Sequence, residues 1–367
     1  MKQCLLLRNF ILRSLLFETL LFGFFILRID AQVFDEPLTL IIVTGISGAE
    51  KYQPIFQKWS DTWREAGKKA EAKIYSIGEN EDQNDEIEDH EIEDHKIQND
   101  EDQNDHNDHY DDRELLREIL KNEVEKGSGQ LWIVLHGHGT FDGEEAKFNL
   151  RGRDFSSKEL AKWLEKSRRP IAIVNAFSAS APFVKDLSRA DRVIISATKS
   201  GYEMNYARFG GYVAEAIGNL RADLDKDGQV SLLEAFLKAA RETEAFYERA
   251  GRLASEHALI EDSGDGFGMG ADWYRGVRVI KKSKSKALPD GRLAHRFHLI
   301  QSEFERKMSK ALREKRDDLE LQMLELRDRK ETFSEETYYK KLEAVLLKLA
   351  SVYEKAEEEI AKKERSF

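Results

Sequence analysis

Four apolar runs, each ending in a loop of small residues, restrict the fold most. They are LTLIIVTGISG (38–48), QLWIVLHGHG (130–139), RPIAIVNAFSAS (169–180) and DRVIISATKSG (191–201). None alternates apolar with polar, so each reads as a strand buried on both faces. Helical patterns lie between them: KYQPIFQKWSDTWREAG, with Phe56, Trp59 and Trp63 at helical spacing, then RELLREILKNEVEKG and SSKELAKWLEKS. AEAKIYSIG adds a shorter strand. Strands alternating with helices predict an α/β fold: a mainly parallel sheet covered on both faces, a three-layer sandwich. Reacting groups in such sheets gather at the C-terminal strand ends, which is where HGHG and NAFSAS fall.

Three segments stand outside this pattern. Residues 1–31, with Lys2, Arg8 and Arg13 before an apolar stretch, read as a secretory signal peptide ending at Ala31. The alternative is a retained membrane anchor, against which stand the short apolar run and Glu18. Cleavage would remove Cys4, the single cysteine, and with it all disulfide and thiol chemistry. The expected location is therefore extracytoplasmic, periplasmic or secreted, with membrane contact only if the leader is retained. Residues 79–112 repeat EDQND and EIEDH and hold 17 acidic residues against one Lys. They read as a disordered surface loop inserted in the 32–291 domain. The histidines His90, His95, His106 and His109 admit weak metal binding there. This insert explains the net charge of −11, the remainder of the chain being +5. No basic stripe with interleaved aromatics is present, so no nucleic-acid partner is expected. Residues 292–367 carry Ile300, Phe304, Met308, Leu312, Leu319, Met323 and Leu326, then Leu342, Leu346, Leu349 and Tyr353, at helical spacing. ETFSEE breaks the run, with Thr332 and Glu335 at capping-box spacing. A charged helical hairpin or short coiled coil is expected, either a packing appendage or an arm for self-association.

DLDKDGQVSLLE, residues 223–234, has the spacing of a twelve-residue EF-hand loop. Asp223, Asp225 and Asp227 supply side-chain oxygens, Gly228 the sharp turn, and Gln229 a backbone carbonyl. Ser231 takes the position that often acts through water, and Glu234 the bidentate one. Hard oxygen donors in this number select Ca²⁺. A lone loop suits a structural site better than a sensor. EDSGDGFG, residues 261–268, is a second Asp/Gly turn without that spacing.

The order of these elements, with LHGHGTFDG and NAFSASAPF at neighbouring strand tips, resembles the caspase–legumain clan of cysteine peptidases, and the bacterial legumain-like proteins in particular. The resemblance covers about residues 38–270, including ATKSG and VSLLEAF. It implies a caspase-like sandwich with His138 as the general base, and His136 stays open as an alternative. The family's acidic–Ala–Cys–x–Ser–Gly motif falls on NAFSAS, placing Asn175 at the acidic position and Phe177 at the cysteine. Phenylalanine has no nucleophilic atom. Three functions follow: a secreted, catalytically silent peptidase homologue that binds calcium and a peptide or protein ligand; an active hydrolase using Ser178 with His138; and a calcium-dependent adaptor acting through its helical arm. Asp142, Ser200, Asn205 and Arg208 are candidates to hold a peptide.

Overall fold

The computed structural model describes residues 38–78, 111–281 and 289–365. The expected leader, with Cys4, and the acidic repeat up to residue 110 lie outside the described residues. The main sheet contains β1 (Thr39–Thr44), β2 (Lys73–Ile77), β3 (Leu131–Gly137), β7 (Ile171–Phe177), β8 (Arg192–Ser196), β9 (Leu259–Glu261) and β10 (Met269–Gly270). Their spatial order is β10-β9-β8-β7-β3-β1-β2. The pairings among β2, β1, β3, β7 and β8 are parallel, and β9 and β10 add antiparallel edges. The apolar runs are unalternated because both faces of these strands are covered. Leu40, Ile42, Trp132, Val134 and Val174 pack on one side, against α1 (Gln53–Lys69), α5 (Phe209–Ile217) and α6 (Leu232–Arg249). Ile41, Val43, Ile133, Leu135 and Ile173 pack on the other, against α2 (Asp112–Lys126), α3 (Ser157–Trp163) and α4 (Ala181–Leu187). The architecture is a three-layer α/β sandwich.

β1 and β3 are neighbours, yet the chain leaves them in opposite directions, toward β2 and toward β7. Their C-terminal ends therefore flank a topological switch point, where a parallel sheet opens a crevice. A small antiparallel sheet of β4 (Gly139–Phe141), β5 (Ala146–Phe148) and β6 (Phe155–Ser156) rises beside it.

The acidic insert ends earlier than residue 112. Asp112 is buried, opens α2 and accepts two hydrogen bonds from Arg151, both 2.9 Å. A buried carboxylate needs such a partner, and one-dimensional composition hides which acid has it. The C-terminal helices are α7 (Glu303–Lys307), α8 (Lys310–Asp328) and α9 (Glu335–Glu364). Their shared core is Met308, Leu312, Leu319, Leu349, Val352 and Ala356. The expected stripe on α9 is thus rotated: Val352 and Ala356 face inward, while Leu346 and Tyr353 are exposed. Ser334, not Thr332, caps α9, its hydroxyl accepting from the Thr337 N–H. Ala294, Phe297 and Leu299 belong to the sheet core, so the helical unit begins in packing terms near residue 300 rather than at 292. Among the described residues no helix is long and apolar enough to cross a membrane.

Candidate functional site

The strand ends at the switch point carry both histidines of HGHG. His136 is the penultimate residue of β3, is buried, and lies with Nε2 3.0 Å from the Thr44 hydroxyl. Burial pulls its pKa down to about 3, so it stays neutral at physiological pH. His138 is half-buried just beyond the strand. Its Nε2 lies 3.1 Å from the Ser47 carbonyl oxygen. A carbonyl only accepts, so Nε2 carries the proton and Nδ1 the lone pair. Burial lowers the His138 pKa as well, which favours that neutral, basic form. Tyr52 and Phe56 stand edge-on to the ring at 5.1 and 5.4 Å. Tyr206 stacks on Tyr52 at 4.7 Å. This aromatic wall from α1 and its approach was only partly visible in the sequence. Phe56 and Trp59 read as a core stripe, but Tyr52 and Tyr206 join it through a contact across 154 positions.

The expected nucleophile position lies on the neighbouring strand, where Gly137 and Phe177 are in register. Phe177 is fully buried and faces the opposite layer, 4.8 Å from the Phe148 ring and 5.1 Å from Phe183. The ring is a core residue and offers the crevice no atom. Ser178 is also buried. Its hydroxyl accepts from the Gly139 N–H at 3.1 Å and donates to the Gly139 carbonyl at 3.2 Å. Those two backbone atoms are its polar partners, and His138 is not among them. The chain then turns sharply: Ala179 has φ +59° and is fully buried, a conformation that non-glycine residues avoid. Its N–H donates to the Glu203 carbonyl at 2.9 Å. Asn175 is buried with its amide on the Ile195 carbonyl, a packing role within the sheet.

Of the four residues named for peptide contact, Asp142 accepts from the Glu144 and Glu145 amides and shapes the β4–β5 turn. Ser200 accepts from the Tyr202 N–H, and Asn205 is exposed. Arg208 lies over the Tyr206 and Phe246 rings, 5.2 and 4.2 Å from their centres. Arg208 alone touches the aromatic wall.

The loop of residues 223–234 brings ligand atoms of Asp223, Asp225 and Asp227 within 4.8 Å of one another. Gly228 turns at φ +86°, as the sixth position requires. Asp225 has its pKa raised by burial and then by the Glu234 charge, with His295 opposing at 3.3 Å from its carboxylate. Crowded carboxylates of this kind suit a divalent cation. Ser231 and Glu234 form a capping box at the start of α6, so the Glu234 oxygens face the Ser231 N–H and the Leu224 N–H. The donor set fits a hard cation. Ser231 also pairs with His298 in a β-bridge, and the Gln229 side-chain oxygen accepts from the Ser302 N–H at 3.0 Å. The segment leading to the helical hairpin is thereby laced to the loop.

EDSGDGFG begins with two buried carboxylates, Glu261 and Asp262, at an acidic junction, and its tip is exposed. Glu261 accepts from the Gly264 and Asp265 amides. Asp262 accepts from the Gly291 and Ala294 amides, and Asp290 from those of Asp262 and Ser263. Burial pushes Asp262 up to about 6 and Asp290 up to about 8.

No family model and no curated protein matches this sequence. Among solved structures the chain is similar to the Drosophila initiator caspase Dronc, at 13% identity over 66% of this chain and 86% of that one, with a TM-score of 0.40. It is similar also to caspase-1 from Spodoptera frugiperda, at 9% identity over 63% of this chain and 88% of that one, with a TM-score of 0.35.

Proposed function

We propose that this chain is a secreted homologue of the legumain-like peptidases that binds peptide or protein at the switch-point crevice without cutting it. The observation carrying this reading is the placement of Phe177. A fully buried aromatic ring stands where the resemblance puts the nucleophile, turned away from the layer that holds His138. Ser178, the alternative nucleophile, has both its donor and its acceptor engaged by Gly139, and a nucleophile needs its base within about 3 Å. His138, Tyr52, Tyr206 and Arg208 remain as a half-buried aromatic and cationic wall suited to an extended peptide. The 223–234 loop would hold Ca²⁺ through Asp223, Asp225, Asp227, the Gln229 carbonyl, Ser231 and Glu234. The ion would neutralise the carboxylates and brace the start of α6. Exposed Tyr339, Leu346 and Tyr353, seven residues apart on α9, support self-association through the helical arm. Placement outside the cytoplasm rests on the N-terminal sequence.

The test is hydrolysis of a diverse fluorogenic peptide library by the purified chain, with calcium and with chelator, and with His138→Ala as control. The expected result is no turnover in either condition, together with peptide retention that weakens in Tyr52→Ala. Turnover that disappears in His138→Ala would overturn the reading in favour of a hydrolase with a recruited nucleophile.

A further inference from the structure

A second cleft lies away from the crevice, between α3 and the small sheet, and its volume is about 540 Å³. Five cations line it: Arg113, Lys147, Arg153, Lys158 and Lys162. Three carboxylates share it, and each is committed. Glu159 holds Arg113 and caps α3, Glu145 lies 3.8 Å from Lys147, and Asp154 accepts from the Leu150 N–H. Lys158 and Lys162 make no ion pair with any described residue. They stand four apart on α3, which places their side chains one above the other on the same face. An exposed cleft with two ammonium groups that no described residue pairs, and with a cationic excess, suits an anionic ligand.

The end of the acidic repeat already meets this rim. Arg153, which lines the cleft, donates to Asp111 at 3.2 Å and to Glu114 at 2.9 Å. The next acid, Asp112, is taken bidentately by Arg151. Residues 79–110 join the described chain at Asp111 and hold 15 acidic residues against one Lys. Their Glu-Ile-Glu triplets (86–88 and 91–93) place carboxylates two residues apart. That is roughly 6.7 Å in an extended chain, close to the spacing of ammonium groups one helical turn apart.

We propose that this cleft is a binding site for carboxylate-rich polypeptide, and that its occupant is the chain's own 79–110 sequence. Tethering at Asp111 raises the local concentration of that ligand, so weak individual ion pairs suffice. Binding of exposed charges is screened as salt shortens the Debye length.

The test uses the full chain and a fluorescent peptide, EIEDHEIEDH, of residues 86–95. In one variant the Asp and Glu of residues 81–105 become Asn and Gln, which frees the cleft of its tethered competitor. Fluorescence anisotropy at low salt should show this variant binding the peptide at least about tenfold more tightly than the unaltered chain. Adding Lys158→Glu and Lys162→Glu should abolish the binding, with an unchanged circular dichroism spectrum. Equal binding by the unaltered and neutralised chains, no binding by the neutralised chain, or binding that survives the charge reversal would overturn the proposal. Capture of inorganic polyphosphate without capture of the peptide would overturn it too, assigning the cleft to phosphate.

Discussion

Ser178 closes a two-bond ring on Gly139, its hydroxyl accepting from the N–H and donating to the carbonyl of the same residue. This ties the tip of β7 to the residue that follows His138. A Cβ on Gly139 would lie 2.5 Å from the Ser178 carbonyl oxygen and 2.6 Å from the Phe177 ring, so the approach demands glycine. Ser178→Ala strands a buried N–H and a buried carbonyl. The expected loss is about 1–3 kcal/mol of unfolding free energy, read by urea denaturation. A change below about 0.5 kcal/mol, the range of ordinary surface substitutions, would contradict the structural role given to this hydroxyl.

Arg169 and Glu123 form a buried pair at the opposite ends of the strands. The guanidinium donates to Glu123 at 2.6 Å, and also to Thr39 and to the Gln130 and Gly129 carbonyls. Lys73 and Tyr75 reach the second Glu123 oxygen. Removing one partner leaves a buried charge uncompensated. Glu123→Ala is expected to cost about 3–5 kcal/mol, and the double change with Arg169→Met less than the sum of the two single ones. Additive losses in that cycle would show that the two side chains act independently.

Stability should respond to pH through two groups of opposite sign. Asp290 is raised by burial from 3.8 to about 8, so the folded chain binds the proton more tightly than the unfolded one. Its contribution is present below pH 4 and lost as pH rises toward 8, by at most about 1.4 kcal/mol per unit. Asp290→Asn keeps an oxygen acceptor for the Asp262 and Ser263 amides. It should gain on the unaltered chain progressively between pH 4 and 8, in urea titrations at each pH. His136 behaves in the reverse sense: with its value lowered from 6.5 to about 3, stability falls as pH drops below 6.5. A flat difference between Asp290→Asn and the unaltered chain would show that this carboxyl titrates normally.

Calcium should stabilise the fold if the 223–234 loop binds it. Saturation to a hundredfold over Kd adds about 2.7 kcal/mol, visible as a rise in Tm that chelator reverses. Asp223→Ala should abolish the rise. Glu234→Gln should weaken it and also destabilise the calcium-free chain, because both Glu234 oxygens accept backbone N–H bonds and an amide offers only one oxygen. An identical Tm with calcium and with chelator would rule the site out.

The sheet was legible in the sequence because every central strand is buried on both sides, which leaves short unalternated apolar runs separated by helical patterns. The turn at Gly228 and the gathering of Asp223, Asp225 and Asp227 were legible because their constraints are local. Long-range partners were not. Nothing near Ser178 announces that Gly139 takes both its hydrogen bonds, and nothing near Asp112 announces Arg151. The face that α9 buries was misassigned for the same reason. Leu342, Leu346, Leu349 and Tyr353 fit a helix as well as Val345, Leu349, Val352 and Ala356 do. Only the partner helix, which presents Leu312 and Leu319, selects the second set. Asp262 reads as a turn residue until the Gly291 and Ala294 amides fold over its carboxylate.

The ring of Phe177 also bears on how this position could change. It fills space between Phe148 and Phe183, and truncating a buried phenylalanine to a small side chain removes about 3–5 kcal/mol. A whole domain holds only about 5–15 kcal/mol in reserve. A thiol at 177 would therefore remove a large share of that reserve in a single substitution. Enlarged neighbours, or stability gained elsewhere in the fold, would offset that loss.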